Sequence, residues 1–267
     1  MANLIFPQLT SGAMAQYPIR KRTNIRTIKN LLADGTVFAA ADPGASQVIW
    51  TLRYVDLPLA DVEALQAHFL ACGGPFRAFT FLDPTDNLLA YSADLTQSCW
   101  LTPAGLTIQS GIADPNGGNG AFSVTNASAA TLTISQTLAA PVNFQYCFSV
   151  YAMSAATATC SLTRSSAKTE QLDGARIGPN WSRLSSSGVL DDSGVGITVG
   201  ISLAPAQTLT LFGPQLEPQF EPSRFRPTYS NSGLYPVAHW ADAELVFTAD
   251  GPNLFSTSLN IEASFQD

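Results

Sequence analysis

From Gln47 to Val55 Val48, Trp50, Leu52 and Tyr54 fall on one side of the chain, with Ile49, Thr51, Arg53 and Val55 on the other. A period of two with apolar residues on both faces predicts a buried strand. Pro58 then precedes Val62, Leu65 and Phe69, spaced by three and four, and Gly73-Gly74 closes the run. That spacing predicts a short amphipathic helix with a glycine stop. Phe76 to Leu82 is rich in aromatic residues and meets Asp83-Pro84, where proline has no N–H to give a ladder, so a second strand is expected to end there.

Similar signals flank this strand-helix-strand unit. Residues 1–16 read as an irregular arm. Ile25, Ile28, Leu31 and Leu32 lead into Ala33-Asp34-Gly35, and the segment from Thr36 to Ala41 returns, a hairpin expected beside the strand through Trp50. At the far end Ala243 to Thr248 reads as a strand and Ala249 to Pro252 as a turn. Phe255, Thr257, Leu259, Ile261, Ala263 and Phe265 then alternate with Ser256, Ser258, Asn260, Glu262 and Ser264. One face of this last strand is expected to be buried and the other wet, completing the N-terminal sheet.

Between these ends helical periodicity vanishes. Eight short strands, at 105–112, 121–126, 130–136, 144–153, 158–164, 181–189, 194–203 and 208–217, alternate with Gly, Pro, Ser and Asn turns. Strands at that spacing predict a β-sandwich or jelly roll. Asp83-Pro84 precedes it, and Pro218, Pro222 and Pro227 follow. The fold class expected is therefore mainly β: a host antiparallel sheet with one short α-helix, formed by residues 1–89 and 229–267, interrupted by an inserted sandwich at 90–228 whose two ends lie close together.

Composition narrows the function. Only 12% of residues are charged, against 46% hydrophobic, which favours broad neutral surfaces suited to neighbouring subunits. A net charge of −7 argues against nucleic acid as the main partner. Arg20, Lys21, Arg22, Arg26 and Lys29 form the one basic cluster, read as a solvated strand face or a patch that meets an acidic neighbour. Cys72, Cys99, Cys147 and Cys160 lie far apart without CxxC spacing, which predicts free thiols rather than a metal site. No basic-then-apolar leader and no apolar run of about 18 residues stand out, so neither signal peptide nor membrane insertion is expected.

Two patterns carry a resemblance. Phe6-Pro7, Gly35, Trp50-Thr-Leu-Arg-Tyr54, His68-Phe69, Cys72-Gly73 and Phe79-Thr-Phe-Leu-Asp-Pro84 resemble minor tail proteins of long-tailed (siphovirus-type) bacteriophages, of the distal-tail or tail-tip class. Asn87-Leu-Leu, Ser92-Ala-Asp-Leu95, Trp100, Tyr151, Trp181-Ser-Arg183, Leu211-Phe-Gly-Pro-Gln-Leu-Glu217 and Phe225-Arg-Pro-Thr228 resemble the carbohydrate-binding-type jelly rolls of phage tail proteins. The chain departs from that pattern at Gly213-Pro214, where a small residue usually follows the glycine. The resemblance implies a structural virion protein, assembled in the host cytoplasm, that forms a homo-oligomeric ring at the tail tip or baseplate. Its partners would be other tail proteins, such as the tail tube and tail hub, and a host cell-surface glycan. The alternatives are a carbohydrate-binding receptor-adsorption protein and a cell-wall-degrading glycosidase.

The residues themselves offer little catalytic equipment. His68 and His239 are the two histidines; His68 is expected to pack against the helix's neighbours and His239 to make a contact at the return into the host sheet. No nucleophile elbow, zinc-protease motif or phosphate loop occurs, and no catalytic residue or cofactor is assigned. Glu170, Asp173, Asp191, Asp192, Glu217 and Glu221 supply carboxylates without a spacing that singles out a glycosidase pair. Asp114-Pro-Asn116 and Asp191-Asp192 are expected to bond their own backbone rather than calcium. Sugar recognition calls for aromatic faces. Phe144, Tyr146, Phe148 and Val150 share one strand face, which assigns Tyr146 to the core and Tyr151 to the opposite face. Tyr151 is the leading glycan-binding candidate, with Trp181 and Trp100 beside it.

Overall fold

A computed structural model describes residues 4–42, 44 and 46–264. The chain divides into two compact units, Met1–Phe81 with Tyr235–Asp267, and Leu82–Leu234. In chain order the elements are β1 (Gln16–Asn24), β2 (Thr27–Leu31), β3 (Val37–Ala41), β4 (Gln47–Leu57), α1 (Leu59–Cys72) and β5 (Phe79–Leu82). Then come β6 (Leu106–Ile112), β7 (Ala121–Asn126), β8 (Leu132–Pro141), β9 (Tyr146–Met153), β10 (Ala158–Ser165), β11 (Glu170–Ile177), β12 (Ser182–Gly188), β13 (Val195–Leu203) and β14 (Thr208–Glu217). The return comprises β15 (Leu234–Trp240), β16 (Phe247–Gly251) and β17 (Leu254–Ser264).

The first unit is a sheet ordered β1-β4-β17-β15-β5, with β16 paired to β17. β4 and β17 are antiparallel, with Ile261 opposite Trp50, so the first and last segments of the chain close one sheet. Thr257, Leu259, Ile261 and Ala263 are buried while Ser258 and Ser264 are exposed, as the alternation requires; Phe265 lies outside the described residues. α1 buries Asp61, Val62, Leu65, His68 and Cys72, and Gly73 ends it with φ 65°, the left-handed conformation that costs glycine least. Among the described residues no helix is long and apolar enough to cross a membrane.

Two expectations for this unit are corrected, and a third gains detail. The hairpin of β2 and β3 does not lie beside β4 but forms a two-stranded sheet of its own, and β1 takes the place beside β4. The last hairpin turns at Pro252-Asn253 rather than 249–252, because Ala249 to Gly251 continue the ladder opposite Leu254 and Phe255. Of the arm's sixteen residues 1–3 lie outside the described ones; the rest is irregular, as expected, up to the start of β1 at Gln16, and it is packed in place. Ile5 bridges Thr80, Phe6 is fully buried, and the Asp61 carboxylate accepts hydrogen bonds from Thr10 N–H at 2.7 Å and Thr10 Oγ1 at 3.2 Å.

The second unit is a sandwich of two antiparallel sheets, ordered β11-β10-β13-β8 and β12-β9-β14-β7-β6. The alternating strands bury Ile134, Leu162, Val199 and Ile201 from the first sheet and Val124, Phe148, Val150 and Leu211 from the second. β11 went unread in the sequence because it is an edge strand, largely exposed and nearly without apolar alternation. The unit's ends lie side by side: Asp83 N–H donates to Gly233 O at 2.8 Å, and Gly233 N–H to Asn87 O at 2.7 Å. The division falls at 81/82 and 234/235, not at 89/90 and 228/229. Asn87 is the reason, since its buried amide donates to Pro214 O and Arg226 O and accepts from Leu89 N–H and Leu216 N–H.

Candidate functional site

The site begins with a bulge. β14 pairs with β9 so that Phe212 opposes Tyr151 and Gln215 opposes Ser149, one extra residue being accommodated at Gly213-Pro214. Paired residues share a face, so the bulge keeps Phe212, Gln215 and Glu217 all on the outer face, although Phe212 and Gln215 are three apart. Gly213 has φ +61°, and a Cβ there would meet the Phe225 ring at 2.9–3.0 Å. The backbone thus allows Phe225 to lie directly over Gly213, 5.1 Å from the Phe212 ring and edge-on to it.

Phe225 belongs to the proline-rich exit from the sandwich, which crosses the five-stranded sheet instead of leaving it. Gln215 and Glu217 are fully buried beneath it. Gln215 Oε1 accepts from Arg226 N–H at 2.8 Å, and Glu217 accepts from Ser223 N–H at 3.0 Å and Ser223 Oγ at 2.5 Å. Thr228 finishes the crossing, its N–H donating to Ser92 Oγ and its hydroxyl to Leu89 O. Two polar side chains on a sheet face would be costly to bury unpaired; the exit segment satisfies them and is fixed by doing so.

The opposite boundary is the loop between β6 and β7. Asp114 accepts from the N–H groups of Asn116 at 2.8 Å, Gly118 at 3.1 Å and Gly120 at 2.9 Å. Those bonds, the one from Gly120 foremost, hold its carboxyl below the ordinary range. This is the backbone-bonding role read from the sequence. A Cβ at Gly120 would meet the Phe212 ring at 3.3 Å, so the loop lies close against that ring. Among the described residues no three His, Cys, Asp or Glu side chains group to hold a metal ion.

Together these pieces enclose a cleft of about 470 Å³ whose lining includes the aromatic rings of Tyr151, Phe212, Phe225 and Tyr229, with Asn116, Ser92 and Arg224 as polar members. Tyr151 is steadied from the adjacent strand: Arg183 opposes it, places its guanidinium 5.1 Å from the ring centre, and donates to Ser149 Oγ at 3.0 Å. Tyr229 is 66% exposed and Phe212 only 8%, so one ring is free to meet a ligand and another is held in the structure.

Of the three aromatic candidates, Tyr151 lies in this cleft. Trp100 is 3% exposed and donates from its indole N–H to Tyr91 O at 3.0 Å, a packing role. Trp181 is half-buried and is not part of the cleft lining. Tyr146 is buried and donates its hydroxyl to Pro141 O at 2.8 Å, as its strand face predicted. Phe212, Phe225, Tyr229 and Arg224 were missed as site residues. Their clustering around Gly213-Pro214 and in the aromatic-rich exit was the available signal, but its proline spacing reads locally as a linker.

A second concavity of about 500 Å³ lies on the four-stranded sheet, lined largely by hydroxyls, including Thr133, Ser161, Thr163 and Ser202, and by no aromatic ring. Two of these groups satisfy each other, Thr133 Oγ1 and Ser202 Oγ at 2.7 Å. It offers polarity without a stacking face.

The histidines occupy the first unit. His68 is 8% exposed, accepts at Nδ1 from the Trp240 indole N–H at 3.3 Å, and meets the Phe79 ring edge-on at 4.8 Å. Burial pushes its pKa down to about 4, so it is a neutral packing group. His239 donates from Nδ1 to Pro75 O at 3.0 Å. All four cysteines are free.

No family model matches the chain, and no curated protein matches it. Solved structures similar to it include the CBM22-1 xylan-binding domain of Paenibacillus barcinonensis Xyn10C, at 17% identity and TM-score 0.41, covering 49% of this chain and 94% of that one. TmCBM61, solved with β-1,4-galactotriose, matches at 14% identity and TM-score 0.38, covering 51% of this chain and 99% of that one. The enzymatically active domain of bacteriophage CBA120 tailspike protein 4 matches at 10% identity and TM-score 0.39, covering 51% of this chain and 22% of that one.

Proposed function

We propose that the protein is a non-enzymatic structural component of a phage tail tip, homo-oligomeric in the virion, whose sandwich binds a host surface glycan in the Tyr151–Phe212–Phe225–Tyr229 cleft. The observation that carries the binding half is the cleft itself. A pyranose has an apolar C–H face that stacks on aromatic rings and a belt of hydroxyls that seeks amide, hydroxyl and guanidinium partners. Tyr151 and Phe225 offer the first, and Asn116 and Arg224 the second. The tail-tip setting rests on the resemblance carried by residues such as Trp50–Tyr54 and Phe79–Pro84, and on the low charge of the chain.

Binding is favoured over glycoside hydrolysis by the state of the sandwich carboxylates. A glycosidase acid needs a raised pKa and a free proton to give. Asp173 is held low, first by the Ser186 hydroxyl, and Asp192 first by the Ser166 hydroxyl. Glu217 is occupied under the exit segment.

A glycan array probed with the full chain tests the reading. Tyr229→Ala, an exposed position, should lower affinity for any captured glycan by about tenfold, the ~1.4 kcal/mol expected of one stacking ring, while Trp181→Ala should leave it unchanged. An intact protein that captures no glycan, or one whose capture ignores Tyr229, refutes the binding half. Release of reducing sugar from cell-wall material refutes the non-enzymatic half.

A further inference from the structure

The cleft carries a sign of charge that its surroundings do not. Residues 82–234 hold ten acidic side chains against six basic ones, yet the one charged side chain among those lining the cleft is a cation, Arg224. Its backbone is anchored, the carbonyl accepting from Ser223 Oγ at 3.3 Å and Gln215 Nε2 at 3.4 Å. Its guanidinium is exposed and, among the described residues, has neither a hydrogen-bond nor an ion-pair partner. A second guanidinium, that of Arg183, stands 5.1 Å from the Tyr151 ring centre. It donates to the neutral Ser149 hydroxyl, and its buried Nε–H has no acceptor among the described residues. Neither cation is neutralised by the protein.

The acids that adjoin the lining residues are engaged elsewhere. Asp114 accepts three backbone N–H groups. Asp94 accepts from Thr96 Oγ1 at 2.6 Å and Gln97 Nε2 at 2.7 Å. Glu217 lies under the exit segment, bonded to Ser223 and to Gln219 Nε2 at 3.0 Å. Glu221, three residues ahead of Arg224, is exposed and makes no ion pair with it. None of the four lines the cleft. Arg224 therefore presents a planar fork with its donors unspent, the shape that meets a carboxylate or phosphate through two parallel N–H···O bonds. A neutral sugar would need only groups such as Asn116 and Ser92, which are also there.

We infer that the glycan taken by this cleft is anionic: its carboxylate or phosphate is held by Arg224, Arg183 adds a second positive charge beside Tyr151, and the sugar rings stack on Tyr151 and Tyr229. The inference rests on the glycan half of the function proposed above, whose ligand class it names, and is independent of the assembly half. A net charge of −7 repels anions at long range, so an acidic glycan is captured by these local cations and not by a general field.

An array of neutral glycans with their matched uronic-acid and phosphate-bearing counterparts, probed with the full chain, tests it. The acidic member of a pair should bind about tenfold more tightly than its neutral counterpart, as one charge-assisted contact at an exposed group allows, and the preference should shrink as salt is added. Whether uronic-acid or phosphate-bearing pairs show it distinguishes the two oxyanions. Arg224→Gln, at an exposed side chain that holds nothing in the fold, should abolish the preference, whereas Tyr229→Ala should weaken both members of a pair alike. Equal or better capture of the neutral members overturns the inference and leaves the cleft as a glycan site, and so does an acidic preference that survives Arg224→Gln. Capture of no glycan overturns the inference together with the binding half of the proposed function.

Discussion

Gly213 is where the fold and the cleft depend on the same atom, and Gly213→Ala measures that dependence. The substitution carries two costs. A non-glycine residue at φ +61° costs about 1 kcal/mol, and a Cβ placed 2.9–3.0 Å from three atoms of the Phe225 ring forces that ring to move, an overpacking cost of about 1–3 kcal/mol. Gly111 supplies the control, since it lies in the same sandwich at φ +81° with nothing within 4 Å of its would-be Cβ; Gly111→Ala carries the backbone cost alone. We therefore expect losses of about 1 kcal/mol for Gly111→Ala and about 2–4 kcal/mol for Gly213→Ala. Amide hydrogen exchange in β9 and β14 is the suitable assay, because it reports opening of the sandwich separately from the first unit. Phe225→Ala completes a double-mutant cycle: with the ring removed, Gly213→Ala should fall back to the Gly111→Ala value. Equal losses at Gly213 and Gly111, or a Gly213 loss unchanged by Phe225→Ala, would refute the claim that the glycine exists to seat the ring.

Other consequences can be checked in the same protein. The folded His68 imidazole has its pKa near 4 against about 6.5 in the unfolded chain. Its contribution is complete above pH 6.5 and is lost as the pH falls toward 4, by roughly 3 kcal/mol in all; urea midpoints should fall over that window in the wild type and less steeply in His68→Gln, and parallel slopes would count against it. Phe6→Ala removes a fully buried ring with centroids 5.6–6.1 Å from those of Phe81, Trp240 and Phe79, and denaturant unfolding should show a loss of about 3–5 kcal/mol; a loss below about 1 kcal/mol would mean the arm is dispensable. Arg164 is 2% exposed and donates to Ser186 Oγ at 2.9 Å and Gly188 O at 2.6 Å, so Arg164→Ala should cost the sandwich about 3–5 kcal/mol. Arg164→Lys, which keeps the charge but not the fork, should recover only part of that in the same unfolding experiment.

The sequence by itself determined the elements whose reasons are local. The period of two at Gln47–Val55 and Phe255–Ser264 forms β4 and β17, although β4 is covered on one face only, with Arg53 and Val55 exposed where apolar residues on both faces predicted a buried strand. Gly73 ends α1 because its backbone takes φ 65° at little cost. The register of turns fixed the sandwich, apart from the polar edge strand β11. It also placed Tyr151 on the outward face of β9 and Tyr146 in the core, since side chains on a strand point to alternate sides. Tertiary structure decided what depends on long-range pairing. The hairpin of β2 and β3 separated from β4 because β1 took that edge, a competition no local pattern records. The proline-rich exit became one side of the cleft because Gln215 and Glu217 needed partners once their strand was buried, and those partners lie 6–11 residues further on. Phe212, Phe225 and Tyr229 thus came to share a cleft with Tyr151 through a bulge and a crossing segment, both set by hydrogen bonds between residues distant in sequence.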